Sequence, residues 1–206
     1  MGVDAPYGWS DAVRALGRLR PPPVEVIPDL LPLLCHPRRN VSLTAAVALL
    51  RLGHPTRDVL RVLLAGLPKE PEPLAAPGAW RDRANRPEVW LKFEEIDTEI
   101  ATAALATALA DSDEEVRCLA AVFLARRPEF TARAVEMLAA GLQPESSDEM
   151  IALRCAAART LGELGAAAAS AMPALRSALE VARSWKLRGE LWRSLARIEG
   201  LATSAE

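Results

Sequence analysis

The sequence predicts an all-α chain assembled from repeated helical hairpins, and three observations carry that expectation. Alanine and leucine dominate a composition without β-branched alternation, and alanine favours helix strongly. Apolar residues recur at helical spacing, as in Leu153, Ala157, Leu161 and Leu164. The chain also matches itself at a few fixed offsets, the mark of a repeat.

The stretch Leu153 to Leu179 is the template for that match. Gly165 closes its first helix, and a second follows with Pro173 in its early turns and Leu175 and Leu179 one turn apart. Shifted back by 37, Leu153, Arg154, Cys155, Ala157, Ala158, Leu161, Leu175 and Leu179 land on Val116, Arg117, Cys118, Ala120, Ala121, Leu124, Leu138 and Leu142. A further 75 carries Val116, Leu124, Leu138 and Leu142 onto Val41, Leu49, Leu63 and Leu67. Shifted forward by 34, Leu153, Arg154, Leu161 and Leu164 become Leu187, Arg188, Leu195 and Ile198.

Two fingerprints recur: Asp111-Ser112-Asp113-Glu114-Glu115-Val116-Arg117, and Leu161-Gly162-Glu163-Leu164-Gly165 followed by Ala171-Met172-Pro173-Ala174-Leu175. Leu16-Gly17-Arg18-Leu19 with Val26-Ile27-Pro28-Asp29-Leu30 is a second copy of the latter. Here the chain resembles the HEAT-repeat family, particularly the short bacterial repeats named after phycobiliprotein lyases. The resemblance implies a right-handed α-α superhelix, a HEAT-like α-solenoid, and is specific for architecture rather than function.

Element by element, residues 1–8 are expected to be a tail. Ser10 or Asp11 can cap a helix to about Arg20 with Leu16 and Leu19 inward, stopped by Pro21-Pro22-Pro23. A helix over 24–35 follows, where Pro28 and Pro32 argue for a bend or a late start, and His36-Pro37 ends it. Helices 40–52, closed by Gly53, and 56–67 complete a pair. The pattern then breaks over 68–97. Pro68, Pro71, Pro73 and Pro77 predict an extended loop, and Pro87 suits the first turn of a helix carrying Trp90, Phe93 and Ile96. A break near Asp97-Thr98 precedes helices at about 98–110, 113–126, 129–142, 148–164, 169–182 and 185–199. One continuous helix to Ala110 is the alternative. Ser112 and Glu115 suit a capping box. The expectation is one domain over 9–200, with about 11 helices in five repeats plus a half repeat, an insertion at 68–97 and a second tail at 201–206.

The final repeat departs from the others. Ala45-Ala46, Ala120-Ala121 and Ala157-Ala158 are equivalent pairs, small enough for helices to approach closely, and their counterpart is Leu191-Trp192. Large side chains covering the end of the core are the favoured reading, and a docked partner the competing one.

Composition bounds the function. Half the 206 residues are hydrophobic and a quarter charged, as in a soluble folded chain. The net charge of −2 resolves into +3 over residues 1–67, −7 over 68–115 and +2 over 116–206, too small a basic excess for bulk nucleic-acid binding. No signal-like segment or membrane-length apolar run is evident, so a cytoplasmic monomer away from membranes is expected. Cys118 and Cys155 occupy equivalent positions one helix spacing apart and read as small buried residues.

Candidate chemistry is sparse. His36 and His54 each precede a proline and lack ligands at metal spacing, so turn roles are expected, with no metal, cofactor or catalytic residue. Within the resembled family, Asp111 and Asp148, with Arg117 and Arg154, imply a hydrogen-bonded ladder along the stacked turns, which Arg188 can continue. A basic column is the better functional candidate. Two residues after each anchor leucine of the second helices stand Arg18, Arg51, Arg126, Glu163 and Arg197. In a HEAT-like solenoid those helices line the concave surface, where arginines suit carboxylate or phosphate; a solvated face is the plainer alternative. Trp80, Trp90 and Phe93 of the insertion are the second candidate, as hot-spot aromatics or as filling for a misshapen repeat. The expected function is a non-catalytic scaffold binding a protein through the concave face and the 68–97 insertion. The alternatives are a nucleic-acid binder like the HEAT-like DNA glycosylases, or a partner subunit of an enzyme such as a phycobiliprotein lyase.

Overall fold

The structure, a computed structural model, describes residues 23–66, 99–142 and 150–200. All regular structure among these residues is helical, as the sequence predicts. The helix expected from a cap at Ser10 or Asp11 to about Arg20, the one expected after Pro87, and both tails lie outside the described residues. By its contacts the chain divides into two units, Met1–Ala104 and Leu105–Glu206.

In the first unit, the bent helix expected over 24–35 is three short pieces instead. A 3₁₀ turn (Val24–Val26) leads into α1 (Ile27–Leu30), and a second 3₁₀ segment follows (Leu31–Cys35). Pro28 and Pro32 each lie in the first two residues of a new piece, where a missing N–H leaves no bond unmade. Helix α2 (Arg39–Arg51) buries Ala45, Ala46, Leu49 and Leu50. It ends as expected at Gly53, whose φ of +79° lets His54 N donate to Leu49 O and Gly53 N to Leu50 O, a Schellman closure. Helix α3 (Arg57–Gly66) returns against α2 with Val59, Leu60 and Leu63 buried. Arg39 ties the hairpin by donating from Nη2 to Ala65 O. Helix α4 (Glu99–Ala108) begins in the first unit and ends in the second.

The second unit contains α5 (Glu114–Leu124), α6 (Pro128–Ala140), α7 (Ile151–Leu164), α8 (Met172–Val181) and α9 (Trp185–Ile198). Helix α5 packs on α6, α7 packs beside α5, and α9 packs beside α7. Helix α8 touches α6 and α9. Thus α5, α7 and α9 make one layer, and α6 with α8 the other. Alanines allow this closeness: Ala120, Ala121, Ala157 and Ala158 are wholly buried. Leu161, Leu175 and Leu191 are also wholly buried, each contributing roughly 1.5–3 kcal/mol. Closest of all is the approach at Gly162, where a Cβ would stand 2.8 Å from the Ser194 Cα.

Two local expectations are corrected. The cap of α5 is Asp113, not Ser112: its carboxylate accepts from Glu115 N at 2.9 Å, while Asp111 Oδ1 accepts from Asp113 N at 2.8 Å. A carboxylate one position later reaches the same orphan donors and adds charge that suits the helix N-terminus. The helix expected from 169 begins at Met172 instead. A 3₁₀ segment, Gly165–Ala171, precedes it and buries Ala168 and Ala171. Gly165, at φ +56°, still ends α7, but the alanines after it keep winding because they pack on α6, α7 and α9.

Candidate functional site

Four of the seven residues singled out as partner-binding, Arg18, Trp80, Trp90 and Phe93, lie outside the described residues. The other three occupy different environments. Arg51, the last residue of α2, is buried at 6 % exposure, so it presents little surface to a partner. Arg126 lies in the turn after α5 and is exposed, and Arg197 is exposed in the last turn of α9. The same offset from an anchor leucine therefore reaches the last residue of one helix, the turn beyond another, and the last turn of a third.

In the second unit the column has a definite geometry. Arg126 Nη2 donates to Glu163 Oε2 at 2.7 Å, across a sequence separation of 37. That separation is the repeat offset itself, so two equivalent positions in successive hairpins touch. Glu163, which interrupts the arginines in sequence, thereby offsets the charge of the arginine beside it. With half of the Arg126 side chain in solvent, the pair is worth about 0–1 kcal/mol and can be rearranged by a competing partner.

The arginines of the expected ladder act more locally. Arg117 Nη1 donates to Asp111 O and Ser112 O at 2.7 and 2.8 Å. Arg188 Nη1 donates to Ala182 O at 3.4 Å and Leu179 O at 3.3 Å. Both reach the carbonyl six residues back, so each arginine satisfies the loose end of the turn leading into its own helix. Arg154 is buried, and Asp148 lies outside the described residues.

Two of the three thiols are committed to packing. Cys118 and Cys155 are buried as expected, and Cys35 is exposed. Burial first, then Glu114 and Glu115, push the Cys118 thiol up to about 12; burial first, then Glu190, raises Cys155. Neither holds a nucleophilic thiolate at neutral pH. His36 serves its turn by accepting from Arg38 N at Nδ1, 3.1 Å away. Among the described residues no group of three or more His, Cys, Asp or Glu is placed to hold a metal, and no helix is long and apolar enough to cross a membrane.

The sequence reading missed the outer face of α9. Trp185 is 85 % exposed and Trp192 66 %, whereas Leu191 is wholly buried. The Leu191-Trp192 pair therefore splits, one residue in the core and the other pointing away from it. The signal was present in the spacing of Trp185, Gly189 and Trp192, which places all three on one side of a helix.

No family model and no curated protein matches this chain. Among solved structures it is similar to an engineered protein at 20% identity, covering 93% of this chain and 90% of that one with a TM-score of 0.40.

Proposed function

We propose that the chain is a non-catalytic protein-binding scaffold, a HEAT-like α-solenoid that engages its partner through the concave face of the stack and the 68–97 insertion. The observation that carries this reading is the contact of Arg126 with Glu163 at the repeat offset. Equivalent side chains of neighbouring hairpins meet, so the stack displays them in rows at about one helix spacing, ~10 Å. Rows of alternating arginine and glutamate suit a protein surface of mixed charge. A polyanion backbone would favour an unbroken basic track, which Glu163 interrupts. The buried Cys118 and Cys155 support the same reading, since the thiols serve the packing of the stack.

The test is capture of proteins from the native host by the full chain, by an Arg126→Ala/Arg197→Ala variant, and by a Trp80→Ala/Trp90→Ala/Phe93→Ala variant. A protein held by the wild type and released by either variant supports the scaffold reading. Identical capture by all three, or none by any, overturns it.

A further inference from the structure

The inward sides of α9 are occupied: Leu187, Glu190, Leu191, Ser194 and Leu195 are buried within the second unit. Opposite them, Trp185, Gly189, Trp192 and Ala196 fall at i, i+4, i+7 and i+11 and form a stripe along the helix. The two indoles are largely exposed, and a Cβ added to Gly189 would meet nothing within 4 Å. Packing within the described residues gives no reason for two solvent-facing tryptophans, nor for a glycine that weakens a helix interior relative to alanine.

The repeat shows what such a stripe holds. Shifted back by 34, these four residues become Ile151, Cys155, Ala158 and Gly162 of α7. That is the side of α7 against which α9 lies. Gly162 admits the Ser194 backbone, and the charges of Glu190, Lys186 and Arg193 act on the Cys155 thiol. Beside this stripe, Arg159 Nη2 donates to Glu190 Oε1 at 3.0 Å, so the incoming helix brings a carboxylate to a waiting guanidinium. At the same offset Arg193 is the counterpart of Arg159, and it pairs with Glu190 of its own helix at 3.2 Å. The face that receives a helix in α7 thus has its counterpart in α9, where among the described residues it lies open.

Charge selects the occupant. Lys186 and Arg193 flank the stripe on one side and Arg188 on the other, all three exposed. Glu199, the exposed carboxylate that follows α9, accepts from Arg176 at 2.7 Å. A second copy meeting this face through its own α9 would set cations against cations. We propose that the stripe Trp185, Gly189, Trp192 and Ala196 docks an amphipathic helix of a partner protein with acidic side chains along its edges, crossing α9 at Gly189. The indoles, one turn to either side of the glycine, straddle the docked helix, as buried aromatic anchors do at protein interfaces. A lipid surface has no use for the notch between them. This surface is separate from the arginine column, and it stands or falls independently of the scaffold reading's concave face.

The test uses the full chain and a matched pair of labelled helical peptides with one leucine-alanine stripe, edged with glutamate in one and lysine in the other. Fluorescence anisotropy is expected to show saturable binding of the glutamate peptide and at least about tenfold weaker binding of the lysine peptide. Trp185→Ala/Trp192→Ala and, separately, Gly189→Leu weaken the glutamate peptide at least about tenfold. Both variants keep the wild-type helical circular dichroism, and Glu136→Ala, at an exposed position of α6, binds as the wild type does. Absence of binding, equal binding of both peptides, or indifference to both stripe variants overturns the proposal. So does a stripe that supports only phosphatidylserine-vesicle binding or only self-association in sedimentation.

Discussion

Gly162→Ala is the substitution whose outcome the packing of the second unit determines most sharply. In a solvent-facing helix this change stabilises by about 1 kcal/mol, because alanine is the better helix former. At Gly162 the new Cβ would lie 2.8 Å from the Ser194 Cα and 2.9 Å from its Oγ. The first of these is backbone, so α9 itself must move away from α7 by several tenths of an ångström. Overpacking of this kind costs about 1–3 kcal/mol, which leaves a net loss of up to about 2 kcal/mol after the propensity gain. Gly189→Ala supplies the internal control, since its Cβ meets nothing within 4 Å and only the gain of about 0.5–1 kcal/mol remains. Urea unfolding followed by circular dichroism measures both changes against the wild type. Gly162→Ala is expected to be the less stable of the two, with a thermal midpoint up to about 8 °C below the wild type. A Gly162→Ala that stabilises as much as Gly189→Ala does would refute the close approach of α7 and α9.

Other expectations follow from individual contacts. Asp113→Ala lowers stability by about 1 kcal/mol in the same urea experiment while Ser112→Ala leaves it within about 0.5, because Asp113 makes the cap bond. Glu190→Ala lowers it by about 2 kcal/mol, since Glu190, nearly buried, accepts from both Arg159 and Arg193 at 3.0 and 3.2 Å. Arg193→Ala, whose side chain is nearly half in solvent, loses less than half of that. In the native state a maleimide labels Cys35 and spares Cys118 and Cys155, with peptide mass spectrometry as the readout. The Cys118 thiol also makes stability pH-dependent. The unfolded chain loses this proton above the ordinary value of 9.0 and the folded chain holds it to about 12. The folded state therefore binds more protons in that window, and stability falls as pH rises through it, by at most about 1.4 kcal/mol per pH unit. Cys118→Ala should flatten the fall, seen as a smaller loss of urea midpoint between pH 9 and pH 11.

The repeat was legible because its signals are local and redundant. Buried leucines one turn apart, alanine pairs between them and Gly53 and Gly165 past the helix ends all specify the same hairpins. Finer features depend on neighbours that the sequence does not name. Ser112 and Asp113 can both cap, and geometry chose the carboxylate. The alanines after Gly165 favour helix and lack a stop signal, so their 3₁₀ winding is set by what they pack against. Arg51 and Arg126 stand at one offset from equivalent leucines, yet one is buried and the other solvent-facing. Offset gives an azimuth on a helix, not the depth of surrounding chain. Trp192 escaped for the opposite reason: a large apolar residue at a repeat end is expected to cover core, and Leu191 alone does that.

The row of equivalent positions is the premise on which the scaffold reading stands, and spin labels at positions 126, 163 and 197 test it directly. These positions are related by offsets of 37 and 34, and none is buried. If successive hairpins stack in register, the 126–163 and 163–197 pairs each give one narrow short separation of about one helix spacing, ~10 Å between backbones. The 126–197 pair gives about twice that. A 126–197 separation shorter than either neighbouring pair, or broad distributions for all three, would contradict the stacked row.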